Sequence, residues 1–378
     1  MGIILNNLGF VCALGTSVPD IITNAKNGDT CGMLDTPVIV GNEKIPFGFT
    51  RVEYTHNMRF CDLLAVAVSQ IADDLDTLRQ QFDVKRLGVV LGASNTAVHE
   101  AQQCISQKLT GNTMPSNFDM SMLELGSPAL WLKSIVGFDG PTFTISTACS
   151  SSIKAFDAAR KLIEQGICDA VLCGGVDGRC DFALNGFNSL EALSHKLTNP
   201  MSQNRNGVNL GECAALFIMR PGDSGISVLG IGETSDAYHP TAPDPTGAGA
   251  KQAMQAAVSD ANLSLMDIDY VNMHGTGTIA NDAMESCAIY ELFGTHPLCA
   301  STKPLTGHCL GAAGACSVAL SWLMLKHGFI VPHIYDGIFA DDCAPINLAT
   351  SPACKDIKNI LCNAFAFGGS NSSIIIGK

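Results

Sequence analysis

Four short segments of this 378-residue chain place reactive side chains beside glycines and small residues. The first, GPTFTISTACSSS over residues 140–152, runs from a strand-like stretch into a tight turn. A helix is expected from about Ser150, with Ile153, Phe156, Ala159 and Ile163 at roughly helical spacing. Cys149 therefore stands at a helix N-terminus, where free N–H groups and the macrodipole favour a reactive thiolate. A cysteine at a strand–helix junction serves packing as readily as catalysis, and on these residues alone both readings stand.

The second segment, Met273 to Thr278 (MHGTGT), follows an apolar strand-like run. It can turn the ring of His274 into a cleft, with glycines that let a ligand approach and two threonine hydroxyls. A hydrogen-bonded loop histidine fits the same pattern. The third, residues 301–314 (STKPLTGHCLGAAG), puts His308 at a helix start with Lys303 five residues earlier. Its small residues also suit close helix packing. The fourth, residues 363–371 (NAFAFGGSN), is a glycine-bearing loop ahead of a last strand, and its exposed N–H groups could supply part of an oxyanion hole.

The elements that must carry these segments alternate between strand and helix. Leu87–Gly92, 142–145 and 170–173 read as buried strands, as do 270–273 and 373–376. Residues 1–7 read as a first strand. Helical patterns cover 60–75 and 250–262. Such alternation predicts an α/β architecture. Ser146-Thr147 and Ser301-Thr302 each open a small-residue helix, closing near Gly166 and Gly328. This internal echo leaves duplication and coincidence both open. The turn signal at Pro221-Gly222-Asp223 places the break between halves of 1–222 and 223–378.

Bulk properties remove several classes of function. A net charge of −13 and a pI near 5.0 argue against a nucleic-acid partner, which needs a positive stripe. No run of 18 apolar residues marks a membrane span, and the N-terminus lacks a basic region of the signal-peptide kind. The sixteen cysteines lie scattered through apolar segments, as at Cys104, Cys173, Cys213, Cys287 and Cys362, with no CxxC pair. They read as small buried hydrophobes in a reducing cytoplasm rather than disulfides or a zinc site.

Taken together and in order, the four segments resemble the signatures of the β-ketoacyl-acyl-carrier-protein synthases. Residues 204–212 (NRNGVNLGE) and 235–245 (SDAYHPTAPDP) resemble two further stretches of that family. The resemblance implies a thiolase-type fold, five layers α-β-α-β-α from two pseudo-duplicated halves. It also implies an acyltransferase that forms carbon–carbon bonds. Cys149 would carry an acyl thioester taken from the phosphopantetheine of an acyl carrier protein. His274 and His308 would hold the malonyl thioester carbonyl as carbon dioxide leaves. Lys303 would support His308 and pair with Glu285. The N–H groups of Cys149 and Phe367 would form the oxyanion hole, with Phe367 also gating the acyl pocket. Thr276, Thr278, Gly368, Gly369 and Asn371 would contact the pantetheine arm. No tightly bound cofactor or metal is implied. The implied partners are an acyl carrier protein and a second subunit, either a copy of the chain or a chain-length-factor-like protein, joined through the strand before Cys149.

The chain departs from the family pattern at three places. Ser317 stands where a Glu is frequent, Ala366 replaces the Gly before the gating Phe, and 199–202 (NPMS) replaces RPFD and its basic docking residue. The Cys-Ser-Ser-Ser run, residues 185–191 (NGFNSLE) and the compact N-terminal half look similar to synthases of aryl-polyene clusters. A non-catalytic chain-length factor is the rival reading, and such subunits lack the nucleophile kept here.

Overall fold

The computed structural model describes residues 2–37, 43–350 and 356–378. Its strands, in chain order, are β1 (Gly2–Val11), β2 (Met33–Pro37), β3 (Lys44–Gly48), β4 (Leu87–Gly92), β5 (Thr142–Ile145), β6 (Ala170–Asp177) and β7 (Cys213–Gly222). They continue with β8 (Ile226–Ser235), β9 (Tyr270–Asn272), β10 (Leu298–Ala300), β11 (Asn359–Ala366) and β12 (Ser370–Gly377). The helices are α1 (Val18–Asn27), α2 (Arg59–Ser69), α3 (Ala72–Gln81), α4 (Val98–Leu109), α5 (Ser127–Val136) and α6 (Ser151–Glu164). After them come α7 (Asp181–Ser189), α8 (Ala248–Asp260), α9 (Ile279–Phe293), α10 (Lys303–Thr306) and α11 (Ala313–His327). The expected first strand begins at Gly2; Met1, like Cys354, lies outside the described residues.

The internal echo is structural. Ten strands run in the order β10-β9-β11-β12-β8-β1-β7-β6-β4-β5, with β2 and β3 apart as a hairpin. In the first five, β4 lies parallel to β5 and β6, and β7 pairs antiparallel with β6 and β1. In the second five, β9 lies parallel to β10 and β11, and β12 pairs antiparallel with β11 and β8. The order and the directions are the same in both sets. They meet where β1 and β8 pair over Ile4–Ser227 and Leu5–Ile226.

Helices α6 and α11 occupy matching places, each after the third strand of its set, and pack on one another between the sheets. Helix α11 is buried continuously from Ala313 to Leu325, the apolar-all-round pattern of a helix with no solvent face. Gly314 permits this contact: a Cβ there would sit 2.7 Å from Ile153 Cγ1 and 2.9 Å from Ser152 Oγ. Helices α2 and α5 cover the outer face of one sheet, and α8 and α9 that of the other. The result is the expected five-layered thiolase-type fold.

Two expectations need correction. The single helix over 60–75 is two, α2 and α3, broken at Gln70 and Ile71. The Gln70 amide donates to the carbonyls of Phe10 and Thr16 and accepts from the Phe10 N–H, so it is committed to the backbone of a distant segment. Strand β5 forms as expected but is not buried. It ends the sheet, and Phe143 is 37% exposed because no further strand covers that edge.

Candidate active site

Strand β5 delivers the chain into the turn 146–149, where Ala148 adopts φ 53°, a costly conformation for a residue with a Cβ. Serines hold this turn shut: Ser151 Oγ accepts from Thr147 N–H and donates to the Ala148 carbonyl, while Ser150 Oγ donates to the Thr147 carbonyl. Cys149 emerges just before α6, 6% exposed. Its Sγ lies 2.8 Å from His308 Nε2.

His308 approaches from the other half. Gly307, at φ 69°, makes the turn that ends α10, and a Cβ there would lie 2.3 Å from the Leu210 carbonyl oxygen. The His308 N–H donates to the Asn209 carbonyl at 2.7 Å, and the Gly211 N–H donates to the His308 carbonyl at 3.1 Å. The 204–212 stretch therefore backs the histidine loop.

His274 follows β9, its ring centroid 5.3 Å from that of His308 with the planes near perpendicular. Glu285 of α9 fixes the loop, accepting from the N–H groups of His274 and Gly275 at 2.7 Å each and from Asn363 Nδ2 at 3.1 Å. Lys303 Nζ donates to the His274 carbonyl. The expected contact pair between Lys303 and Glu285 does not form, because backbone and amide donors already occupy the carboxylate. The two charges act on each other only through space.

Electrostatics revise the expectation of a resting thiolate. Burial pushes the Cys149 thiol up to about 11, against the pull of Lys303 and the N–H groups of Phe367 and Cys149. Burial also holds both histidines well below their ordinary value, with the Lys303 charge acting the same way. The site at neutral pH is therefore a neutral thiol beside neutral imidazoles. Neither ring has a partner for its buried Nδ1 among the described residues. Each can therefore place its one proton on either nitrogen.

Cys149, His274 and His308 line one cavity together with Thr276, Thr278, Phe367 and Asn371. The threonine hydroxyls lie 2.9 Å apart. The Phe367 ring stacks on Phe187 of α7, centroids 5.3 Å apart and 19° from parallel. Gly368 and Gly369 do not line the cavity. At φ 84° and 74° they turn β11 into β12, and their N–H groups donate to the carbonyls of Pro240 and Ala366. Asn371 donates to Asp236 Oδ1 at 2.6 Å and so ties the 235–245 loop to β12. Lys303 and Glu285 stand behind the cavity wall.

The three departures occupy structural places. Ser317 is buried in α11, where its carbonyl accepts from Asn272 Nδ2. Ala366 ends β11, paired with Ser370. Pro200, Met201 and Ser202 are buried, with the Met201 N–H donating to Asp282 at 2.8 Å, so this stretch offers no docking face.

Sequence reasoning missed Phe187, Asn363 and the fully buried Asp177. Burial pushes the Asp177 carboxyl up to about 6, opposed by donors from Asn95 and Ser94. Phe187 and Asn363 sit within the 185–191 and 363–371 stretches already singled out, whereas no local signal marks Asp177 as lying behind the site.

Residues 41–224 match the family model "Beta-ketoacyl synthase, N-terminal domain", and residues 226–335 match "Beta-ketoacyl synthase, C-terminal domain". The chain is 28% identical to 3-oxoacyl-[acyl-carrier-protein] synthase 2 of Staphylococcus aureus (strain COL), covering 100% of this chain and 98% of the relative. It is also 28% identical to nodulation protein E of Rhizobium meliloti, covering 98% and 97%. Among solved structures it resembles a chain of the ketosynthase ApeO in complex with its chain length factor ApeC from Xenorhabdus doucetiae. That match has a TM-score of 0.96 and 36% identity, and it covers 100% and 98%. No helix among the described residues is long and apolar enough to cross a membrane.

Proposed function

The chain belongs to the β-ketoacyl synthase family, and we propose that Cys149, His308 and His274 are the groups with which it performs that family's carbon–carbon bond formation. The observation that carries this reading is the 2.8 Å approach of Cys149 Sγ to His308 Nε2, with His274 beside it in the same cavity.

Acylation begins with an acyl thioester on a carrier phosphopantetheine. Cys149 sulfur attacks its carbonyl, and His308 Nε2 takes the thiol proton and returns it to the departing pantetheine thiol. The N–H groups of Cys149 and Phe367, which favour negative charge on the Cys149 sulfur, hold the transient oxyanion. In the second stage a malonyl thioester loses carbon dioxide, and the freed electron pair moves toward its thioester oxygen. His274 and His308 donate Nε2–H to that oxygen. The carbanion carbon attacks the acyl-Cys149 carbonyl, the new bond forms, and Cys149 leaves and recovers a proton. His308 thus accepts at Nε2 in one stage and donates in the other, which its partnerless Nδ1 permits.

Lys303 and Glu285 hold the His274 loop. Thr276, Thr278 and Asn371 face the pantetheine arm and Phe367 gates the pocket, whereas Gly368 and Gly369 act only by shaping the turn. The two halves are 1–222 and 223–378. Substrates arrive on an acyl carrier protein with no tightly bound cofactor, and the enzyme works in the cytoplasm. The exposed β5 edge supports pairing with a second subunit. The ApeO–ApeC likeness favours a chain-length-factor partner over self-pairing, and the Cys-Ser-Ser-Ser run with residues 185–191 favours an aryl-polyene-type pathway.

Intact mass after incubation with a panel of acyl-carrier thioesters tests the reading. An acyl adduct that maps to Cys149 and depends on chain type is expected. No adduct with any thioester, alone or with the partner subunit, would overturn it.

A further inference from the structure

Outside the catalytic cavity the four-residue set Cys12, Cys213, Cys309 and Cys316 converges from four places: the end of β1, the start of β7, the residue after His308, and the second turn of α11. All four are free and buried at 3% exposure or less. The sulfurs of Cys213, Cys309 and Cys316 lie within 4.8 Å of one another. Cys12 hydrogen-bonds with Cys316 but does not share that mutual distance with all three. Packing alone asks only for a small apolar group at each position, which Ala or Val would meet. Here each small group is a thiol, and the sulfurs of Cys213, Cys309 and Cys316 meet at one point.

We propose that Cys213, Cys309 and Cys316 form a binding site for a soft monovalent cation, Cu(I), in three-coordinate sulfur ligation. Thiolates select Cu(I), zinc and iron–sulfur centres over harder ions. Three sulfurs each about 2.3 Å from a shared ion stand about 4 Å apart, within the span observed here. Zinc prefers four ligands, and the fourth sulfur stands outside the close trio. As the ion enters, each thiol that ligates it loses one proton. The excess negative charge faces the buried Lys303 ammonium, which acts on Cys309 and Cys316 through space. Because Cys309 follows His308 directly, an ion held there is one residue from the catalytic imidazole.

Cys149, His274 and His308 are a second group of close donors, so the test uses Cys149→Ala. Titrating that variant anaerobically with Cu(I) against a chromophoric chelator should load one ion per chain. X-ray absorption should show sulfur ligation only. Cys316→Ser in the same background should lose affinity by more than the roughly 10–100-fold that loss of an outer-shell partner costs. Absence of stoichiometric binding, nitrogen in the ligand shell, or undiminished binding in the folded Cys316→Ser double variant would overturn the proposal. Tighter binding of Zn2+ than of Cu(I) would overturn the three-coordinate assignment. If the double variant does not fold, the ligand shell of the Cys149→Ala protein decides alone.

Discussion

The two halves repeat one strand order, yet their matching turns do different chemistry. After β5, the strained turn at Ala148 presents a sulfur at the start of α6. After β10, the turn from Ser301 to His308 presents an imidazole, and a short helix carries Lys303 behind it. Neither half holds a complete site: Cys149 belongs to one and its nearest partner, His308, 2.8 Å away, to the other. The repeated strand order supplies two equivalent positions near α6 and α11, and the proposed function makes one an acyl carrier and the other a proton handler.

Removing each group in turn probes that division most strongly. Cys149→Ala is expected to abolish the acyl adduct and to lower condensation by at least about a thousandfold. His274→Ala should keep the adduct yet lower condensation by at least about a hundredfold. Mass spectrometry alongside a carbon dioxide release assay separates the two stages, and an adduct lost in both variants would break the comparison.

The buried carboxylates behind each turn extend it. Glu285→Ala leaves the N–H groups of His274 and Gly275 unpaired and should cost about 3 kcal/mol, with Glu285→Gln costing less. Asp177→Ala strips the N–H groups of Ser94 and Asn95 in the other half and should cost a similar amount by urea midpoint.

One buried group in each half answers acid with the opposite sign. Burial pushes His333 down to about 4, so its contribution is complete above its unfolded value and is lost as pH falls from about 6.5 toward 4. Burial pushes Asp177 up to about 6, so the folded state gains stability as pH falls below that value. Each effect is worth about 3 kcal/mol. Thermal melts across this range should show the acid response shifting toward loss in Asp177→Asn and toward gain in His333→Asn.

Smaller effects belong to the contacts between the halves. Gly314→Leu should destabilise by about 1–3 kcal/mol, because α6 leaves no room at the α11 contact. Phe187→Ala should shift acyl preference by about 0.5–1.5 kcal/mol, the worth of an aromatic stack, read as relative acylation rates across chain types.

Much of the site was legible because its groups sit on short segments whose glycines and serines are dictated by local geometry. The turn before α6, the loop after β9 and the turn before α11 form where the residue pattern placed them. What escaped is what depends on partners far along the chain. Gln70 breaks a helical pattern by bonding the backbone of Phe10, sixty residues away. Glu285 turns to two backbone N–H groups and Asn363 rather than to Lys303. Strand β5 reads as apolar but stands at an edge, since strand order is not written in any one strand.

The sequence by itself determined the α/β layering and the family, and it singled out Cys149, His274 and His308, which the fold brings together. Periodicity, turn residues and ordered motifs are local properties of the chain. Tertiary structure alone decided the protonation state and the meeting of the halves. Burial, not position at a helix start, sets the Cys149 thiol high and both imidazoles low. It also decided that three scattered cysteines, Cys213, Cys309 and Cys316, share one point, because only the packing of β7 against the His308 turn and α11 brings their sulfurs together.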